Sequence, residues 1–184
     1  MKELKNINTS WTLFLDRDGV INHEKHLGYI LHWDEFIFYD GVKEALQIFS
    51  GIFGRIVVVT NQRGVGKALM SEQDLNSIHT NMIADIAHHG GRIDKVYYCS
   101  SIDNNHPCRK PNPGMALQAR QDFPEIDFNK SIMIGNTLSD MDFGRKIGAF
   151  TIFLPTTRPE VPHQHPSIDA VYPSLWHVAK AIQQ

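Results

Sequence analysis

The stretch "WTLFLDRDGVIN", residues 11–22, joins an apolar run to two acids. Leu13 to Leu15 form a short apolar segment that predicts a buried β-strand, and the segment ends at Asp16. Asp18 follows two residues later, and side chains at i and i+2 of an extended segment point the same way. Two carboxylates held close repel each other unless a cation lies between them or one is protonated. We therefore expect Asp16 and Asp18 to face one small volume that holds a metal ion, a proton or water.

Length and composition favour one globular domain over residues 1–184 and exclude several classes of protein. The chain is 42% hydrophobic and 21% charged, and its net charge of -2 comes without a basic block, which argues against nucleic-acid binding. No apolar run approaches the roughly 20 residues that span a bilayer, and the first ten residues lack the apolar core of a signal peptide. We expect a cytoplasmic monomer with no membrane partner. In that compartment Cys99 and Cys108 favour a metal site or free thiols over a disulfide.

Strand-like and helix-like segments alternate along the chain. The apolar, β-branched runs that predict strands are residues 13–15, 55–60, 95–99, 131–135 and 150–154. The segments with helical spacing of apolar residues are 40–49, 71–89, 113–123, 139–148 and 173–183. In the second of these, Ser71 and Asp74 have the spacing of a helix N-cap and its partner. This alternation predicts an α/β fold with a doubly wound, Rossmann-like parallel sheet.

Polar side chains follow four of the predicted strands at the point where each strand ends. In open parallel sheets, ligands bind outside the carboxyl ends of the strands, so these residues are candidates for one site. They are Asp16 and Asp18; Thr60, Asn61, Gln62 and Arg63; Cys99 leading to Arg109 and Lys110; and Asn136 and Asp140.

Two acids, a hydroxyl and a lysine at one edge suit phosphoryl transfer. Asp16 is the candidate nucleophile, which would form an aspartyl-phosphate, and Asp18 the candidate acid and base for the leaving alcohol and the attacking water. Thr60 and Lys110 are candidates for holding phosphate oxygens. Magnesium between Asp16 and the phosphate would relieve the repulsion between the two carboxylates.

Four segments in this order resemble the motifs of the haloacid dehalogenase-like phosphatases. They are "FLDRDGVIN", "VVVTNQ", "CRKPNPGM" and "MIGNTLSDM", and the resemblance covers roughly residues 11–154. The pairing of "DRDG" with "TNQ" and "CRKP" is similar to the branch of heptose-bisphosphate phosphatases and histidinol-phosphatases. The resemblance implies a small phosphorylated substrate, a magnesium cofactor and no large cap domain, because one helix and a loop fill the interval between the first two motifs.

The resemblance also assigns roles to individual residues. It implies that Asp16 is the nucleophile, that Asp18 is the acid/base and that the Asp18 backbone carbonyl is a magnesium ligand. Thr60 and Lys110 match phosphate binders. The residues that match substrate contacts are Asn61, Gln62, Arg109, and the segment around Gly28 and Tyr29.

The fourth motif departs from the family pattern. The family has Gly-Asp where this chain has Gly135-Asn136. An amide oxygen still coordinates a hard cation, but it carries no charge, so we expect Asn136 to be a weaker magnesium ligand. Asp140, one helical turn further on, is expected to accept hydrogen bonds behind the metal. A loss of catalytic activity is the alternative interpretation.

The loop before the third motif also departs from the pattern. Members of this branch often bind a structural zinc through cysteines and a histidine there. In "CSSIDNNHPCRKP" the candidate ligands are Cys99, His106 and Cys108, and Asp103 or a water would complete the four that structural zinc takes. A zinc-free loop held by hydrogen bonds is the alternative.

Three functions remain open from the sequence. Similarity of "GVINHEKHLGY", "VVVTNQRGVGKA" and the cysteine-flanked segments favours a phosphatase for heptose 1,7-bisphosphate. The short loop between Cys99 and Cys108 is closer to histidinol-phosphate phosphatases. Asn136 supports a third possibility, a catalytically impaired domain that binds a phosphorylated ligand.

Overall fold

The computed structural model describes residue 4, residues 6–25 and residues 28–183. Six strands form one sheet in the order β3-β2-β1-β4-β5-β6, and every neighbouring pair is parallel. The strands are β1 (Thr12–Leu15), β2 (Arg55–Asn61), β3 (Lys95–Cys99), β4 (Ser131–Gly135), β5 (Phe150–Phe153) and β6 (Ala170–Val171). The predicted α/β fold with a doubly wound parallel sheet is confirmed.

Six α-helices accompany the sheet in the described part of the chain. They are α1 (Val42–Ser50), α2 (Arg63–Gly66), α3 (Glu72–His88), α4 (Gly114–Asp122), α5 (Leu138–Ile147) and α6 (Leu175–Gln183). Two short 3-10 helices lie at Trp33–Glu35 and Phe128–Lys130. The N-cap expected at Ser71 is present, since its hydroxyl accepts from the Asp74 backbone N–H at 3.1 Å and Asp74 Oδ2 accepts from the Ser71 N–H at 2.9 Å. Four elements were not predicted: the two 3-10 helices, the four-residue α2 and the two-residue β6.

Alternate residues of the strands build two apolar layers, one on each face of the sheet. Leu13 and Leu15 pack in the layer that contains the inner faces of α1, α3 and α6, while Phe14 packs in the layer with α4 and α5. The period of two along a strand sends successive side chains to opposite faces. All four residues of β1 are buried, which explains why its sequence is apolar throughout.

The strand order places two polar loops side by side. β1 pairs with β2 on one side and with β4 on the other. The strands β2 and β3 are added on one side of β1, and β4, β5 and β6 are added on the other, so the strand order reverses at β1. Leu15 is paired with Ile134. Asp16, directly after Leu15, and Asn136, two residues after Ile134, therefore leave the sheet at the same edge and line one pocket. Such a switch point opens a crevice at the carboxyl end of the sheet. No helix in the described part of the chain has the length and apolar character needed to cross a membrane.

Candidate active site

A pocket of about 240 Å³ lies at this switch point. It is lined by residues from the ends of β1, β2 and β4 and from the loop before α4, which brings together polar groups distant in sequence. Its lining includes the candidates Asp16, Asp18, Gly28, Tyr29, Thr60, Asn61, Gln62, Arg109, Lys110 and Asn136. The three zinc candidates do not line this pocket; they are Cys99, His106 and Cys108.

Lys110 connects two carboxylates beneath the pocket floor. Its Nζ lies 2.9 Å from Asp16 Oδ1 and 2.6 Å from Asp140 Oδ1, and it donates to the carbonyl of Val59 at 2.7 Å. An ammonium group has three N–H donors, so these three acceptors use all of them. The Lys110 side chain is almost wholly buried. Its observed role is to fix the Asp16 carboxylate, and the binding of phosphate oxygens by Lys110 stays a prediction.

The surroundings of Asp16 raise the pKa of its carboxyl group close to neutral pH. Burial, followed by the negative charge of Asp140, raises the pKa of Asp16 to about 7, although Lys110 acts in the opposite direction. Burial alone would lower the pKa of Lys110, but the two carboxylates outweigh it and raise that pKa, so the lysine stays charged. Lys110 Nζ and the Arg17 backbone N–H both contact the same oxygen of the Asp16 carboxylate, Oδ1.

Asp18 is held by donors from three directions. Arg17 Nη2 donates to both of its carboxylate oxygens, at 2.9 and 3.0 Å, Asn22 donates to Oδ1 at 2.9 Å and Gln62 donates to Oδ2 at 2.8 Å. Burial alone would raise the pKa of Asp18, but the Arg17 charge and these hydrogen bonds outweigh it and leave the pKa below its ordinary value. Asp18 is therefore a carboxylate in this geometry.

The polar residues Thr60, Asn61 and Gln62, at the carboxyl end of β2, support the site from behind. Gln62 Nε2 also donates to the Thr60 hydroxyl at 2.9 Å, which ties Thr60 to Asp18. Asn61 donates to the Lys110 carbonyl at 3.2 Å and accepts from the Lys110 backbone N–H at 3.1 Å. These bonds give Asn61 and Gln62 a positioning role that the sequence did not indicate. Direct contact of either residue with substrate stays a prediction.

Asn136 has a side-chain oxygen that suits a cation. Its Nδ2 donates to the Thr157 hydroxyl at 2.6 Å, while its Oδ1 is buried without a hydrogen-bond partner among the described residues. Gly19, with φ of +83°, lies against this amide, and any side chain there would collide with it. A buried orphan oxygen is unfavourable unless a ligand satisfies it. With the neighbouring Asp16 carboxylate, the donor set fits the oxygen ligands that magnesium prefers.

Asp140 fixes the backbone that carries Asn136. Its Oδ2 accepts from the backbone N–H groups of Asn136 and Thr137 at 3.2 and 3.0 Å, and from the Thr137 hydroxyl at 2.7 Å. The expectation that Asp140 accepts hydrogen bonds behind the metal position agrees with these contacts. Its ion pair with Lys110 was not foreseen.

The candidate zinc loop is only partly assembled. Cys99 Sγ lies 3.8 Å from His106 Nδ1, but the same nitrogen also faces the Cys108 backbone N–H at 3.2 Å, as an acceptor. Cys108 Sγ instead has Gln118 Nε2 at 3.6 Å. In the described part of the chain, no group of three or more His, Cys, Asp or Glu side chains is arranged to hold a metal ion. Zinc binding by Cys99, His106 and Cys108 stays a prediction.

Magnesium affinity should fall as the pH drops below about 7, because the metal must displace the proton that Asp16 holds in its buried setting. We expect the dissociation constant to rise by up to about tenfold for each pH unit below that value. Calorimetric titrations of magnesium in two buffers with different ionisation heats would measure both the affinity and the released proton. A dissociation constant that does not change between about pH 5.5 and 6.5 would contradict the protonation of Asp16.

Known proteins with similar sequences indicate the family to which the chain belongs. A family model described as HAD-hydrolase-like matches residues 107–178. The D-glycero-alpha-D-manno-heptose-1,7-bisphosphate 7-phosphatase of Mycobacterium tuberculosis (strain H37Rv) is 35% identical over 94% of this chain and 91% of its own. The D-glycero-beta-D-manno-heptose-1,7-bisphosphate 7-phosphatase of Escherichia coli K12 is 34% identical over 94% of this chain and 93% of its own.

A solved structure is similar over nearly the whole chain. It is the D,D-heptose 1,7-bisphosphate phosphatase of B. bronchiseptica complexed with magnesium and phosphate, with a TM-score of 0.86 and 27% identity over 95% of this chain and 98% of that one. Taken with the curated relatives, it shows that the chain belongs to the haloacid dehalogenase-like family, in the heptose 1,7-bisphosphate phosphatase branch. The chain is a phosphatase of this family.

Proposed function

We propose that this phosphatase removes one phosphate from a sugar bisphosphate, with a heptose 1,7-bisphosphate as the substrate that fits best. The observation that carries the proposal is the fixed pair of Asp16 and Asp18 at one pocket, with Lys110 behind the first and Arg17 behind the second. The names of the relatives support the choice of a heptose bisphosphate. We also infer a single domain over residues 1–184, since the described strands form one sheet.

Two displacements at phosphorus account for the reaction. In the first, an Asp16 oxygen forms a bond to phosphorus while the bond from phosphorus to the sugar oxygen breaks, and Asp18 gives its proton to that oxygen. In the second, water loses a proton to Asp18 and attacks phosphorus, which releases inorganic phosphate and frees Asp16. Asp18 is a carboxylate in the ligand-free geometry, and the negative charge of an entering phosphate would raise its pKa for the first step.

Magnesium is the proposed cofactor, held by the Asp16 carboxylate, the Asp18 backbone carbonyl and Asn136 Oδ1. When bound, it would neutralise charge on the transferring phosphoryl group. Thr157 fixes the amide so that Nδ2 faces the Thr157 hydroxyl and Oδ1 is left for the cation. This arrangement supports a working, uncharged ligand at Asn136 and weighs against the catalytically impaired alternative.

Asn136→Asp should lower the magnesium concentration needed for half-maximal activity by roughly tenfold or more. The substitution adds a negative charge at an oxygen of similar reach, and an added attraction of about 1.4 kcal/mol corresponds to that factor. The Thr157 hydroxyl can rotate and donate to the new carboxylate. Magnesium titrations of phosphate release in both forms test this. Superimposable curves would show that another group already supplies the charge.

The mouth of the site suits a second phosphate. A wider cavity of about 950 Å³ continues from the pocket, and its lining includes the cations Arg63, Lys67, Arg109 and Arg158 and the acids Glu24 and Glu160. Arg158 is paired with Glu24 at 3.4 Å, which leaves Arg63, Lys67 and Arg109 as the cations for a phosphate. Burial, followed by the positive charge of Arg63, lowers the pKa of Arg109, so the two guanidinium groups repel each other in the ligand-free site. A phosphate between them would relieve this repulsion and accept hydrogen bonds from both. We infer that Arg63 and Arg109 bind the phosphate that is not removed.

A panel of phosphate esters tests the function. We expect phosphate release to be fastest from one anomer of heptose 1,7-bisphosphate, slower from heptose monophosphates that lack the second phosphate, and slowest from histidinol phosphate. Both anomers belong in the panel because relatives of similar identity carry either the alpha or the beta name. A preference for histidinol phosphate would replace the substrate assignment. Binding of every ester without release of phosphate would establish the binding-domain alternative.

Structural zinc is a separate proposal for the loop of Cys99, His106 and Cys108. The support for it is that Cys99 Sγ and His106 Nδ1 already lie 3.8 Å apart. If zinc is bound, Cys99→Ser should release it and lower the melting temperature by several degrees, because metal binding adds to the folding free energy. Native mass spectrometry would detect the metal. A metal-free protein whose melting temperature does not respond to chelators would leave the loop held by hydrogen bonds alone.

We also infer a cytoplasmic monomer that acts on a small phosphorylated molecule and binds neither nucleic acid nor membrane. Cys99 and Cys108 are free thiols in the structure, in keeping with a reducing compartment. The net charge of -2 offers no general attraction for nucleic acid. Light scattering with size-exclusion chromatography would give the molecular mass in solution.

A further inference from the structure

His79 is a buried histidine on the inner face of α3. The residues that surround it on this helix face, Leu75, Ile78, Met82 and Ile86, are all apolar and fully buried. A histidine in such a place loses the hydration of its ring nitrogens, whereas an aliphatic residue would have no such cost. The polar contact that compensates for this loss is with Arg17, whose Nη1 lies 3.1 Å from His79 Nε2.

Arg17 is the completely buried residue between Asp16 and Asp18. Its guanidinium has two edges in use. One edge, formed by Nε and Nη2, faces the Asp18 carboxylate, with Nη2 at 2.9 and 3.0 Å from its oxygens and Nε at 3.3 Å from Oδ1. The other nitrogen, Nη1, faces His79. Because a guanidinium is planar, the direction of Nη1 determines the plane in which the first edge meets Asp18.

The imidazole is a neutral acceptor. Burial, followed by the charge of Arg17, lowers the pKa of His79 to about 3, so the ring carries no charge near neutral pH. A guanidinium is always a donor, and the hydrogen bond therefore requires an unprotonated Nε2, with the ring proton on Nδ1. The Tyr98 ring on β3 packs beside the imidazole, with the two ring centroids 6.0 Å apart.

We infer that His79 is a positioning residue for proton transfer by Asp18: its Nε2 accepts from Arg17 Nη1 and fixes the guanidinium that holds the Asp18 carboxylate at the pocket. This inference rests on the proposed function, since it needs Asp18 to protonate the leaving oxygen. His79 touches neither the pocket nor the reacting atoms. Its effect passes through Arg17, which is 62 residues away from His79 in the sequence.

A comparison of two leaving groups distinguishes a positioning role of His79 from a purely structural role. A sugar oxygen needs a proton from Asp18 as its bond to phosphorus breaks, whereas p-nitrophenolate leaves as a stable anion and needs none. The ratio kcat/KM covers only the steps up to departure of that group when the bond cleavage is irreversible. A variant with a misplaced Asp18 should thus lose kcat/KM for the sugar phosphate far more than for p-nitrophenyl phosphate. A merely destabilised variant should lose both in proportion to its folded fraction.

The variants are His79→Leu, which removes the acceptor, and His79→Gln, whose side-chain oxygen can replace it. We expect His79→Leu to lower kcat/KM for the best sugar phosphate of the panel by about tenfold or more, but for p-nitrophenyl phosphate by less than about threefold. His79→Gln should restore the first value to within about threefold of the wild type. His79→Met, a flexible side chain with only a weak acceptor, gives the same comparison if the leucine variant does not fold.

Asp18→Asn serves as the reference for this experiment. It should show the same selective loss as His79→Leu, in larger degree. Equal losses on both substrates for His79→Leu, beside a selective loss for Asp18→Asn, would overturn the inference and leave the proposed function intact. A wild-type protein that releases no phosphate from any ester would overturn both.

Discussion

Asp16→Asn should lower phosphate release by at least about a thousandfold, which corresponds to roughly 4 kcal/mol, and should leave the fold unchanged. The amide nitrogen and the carbonyl oxygen of asparagine are poor nucleophiles at phosphorus, so the covalent intermediate does not form. The structural contacts survive the change because the Arg17 N–H and Lys110 both bind Oδ1, at 2.7 and 2.9 Å, and an amide oxygen accepts both bonds. The substitution also removes the repulsion between Asp16 and Asp140 that raises the pKa of Asp16.

The measurement compares steady-state phosphate release with thermal unfolding for three proteins. Asp34→Asn is the matched control, since it makes the same chemical change at an exposed residue outside the pocket. We expect full activity in the control and a melting temperature within a few degrees of the wild type in Asp16→Asn. A phosphorylated species in acid-quenched samples should appear for the wild type and be lost in Asp16→Asn. Retention of more than about a tenth of the activity in Asp16→Asn would rule out Asp16 as the nucleophile.

The fold could be predicted where local signals agree. The apolar run at residues 13–15 and the Ser71–Asp74 cap each depend on neighbouring residues alone, and both were found as expected. β6 has only Ala170 and Val171, which is too short for a periodic signal, and its pairing with β5 creates the strand. α2 begins directly after the polar end of β2 and has two glycines among its four residues, so its composition favoured a loop.

The candidate site was also predictable only in part. Asp16 and Asn136 were expected together because they follow strands, and parallel strands end at one edge of the sheet. The contacts of Arg17 with His79 and of Asn136 with Thr157 depend on side-chain directions across the fold. A histidine within the apolar face of α3 was the available signal for the first contact, since a buried polar residue needs a partner. The threonine in the loop after β5 gave no comparable signal.

The second large effect is expected at Lys110. Lys110→Met should lower kcat by at least about a hundredfold, because one preorganised charge next to the nucleophile contributes roughly 3 kcal/mol. Methionine keeps the length of the apolar stem but leaves Asp16 and Asp140 without the cation that lies 2.9 and 2.6 Å from them. The pKa of Asp16 should then rise above its present value of about 7, since Lys110 is the group that opposes that rise.

The pH dependence separates the loss of charge from a loss of folding. If the nucleophile is held protonated in Lys110→Met, its activity should increase with pH over a range where wild-type activity is already level. Lys95→Met is the control, because Lys95 forms an exposed ion pair with Asp122 at 2.7 Å and such pairs contribute little to stability. A thermal unfolding curve measured at each pH shows what fraction of each variant is folded. A decrease of less than about fivefold, with an unchanged pH profile, would mean that Lys110 is not needed to keep Asp16 ionised and that the metal alone performs this task.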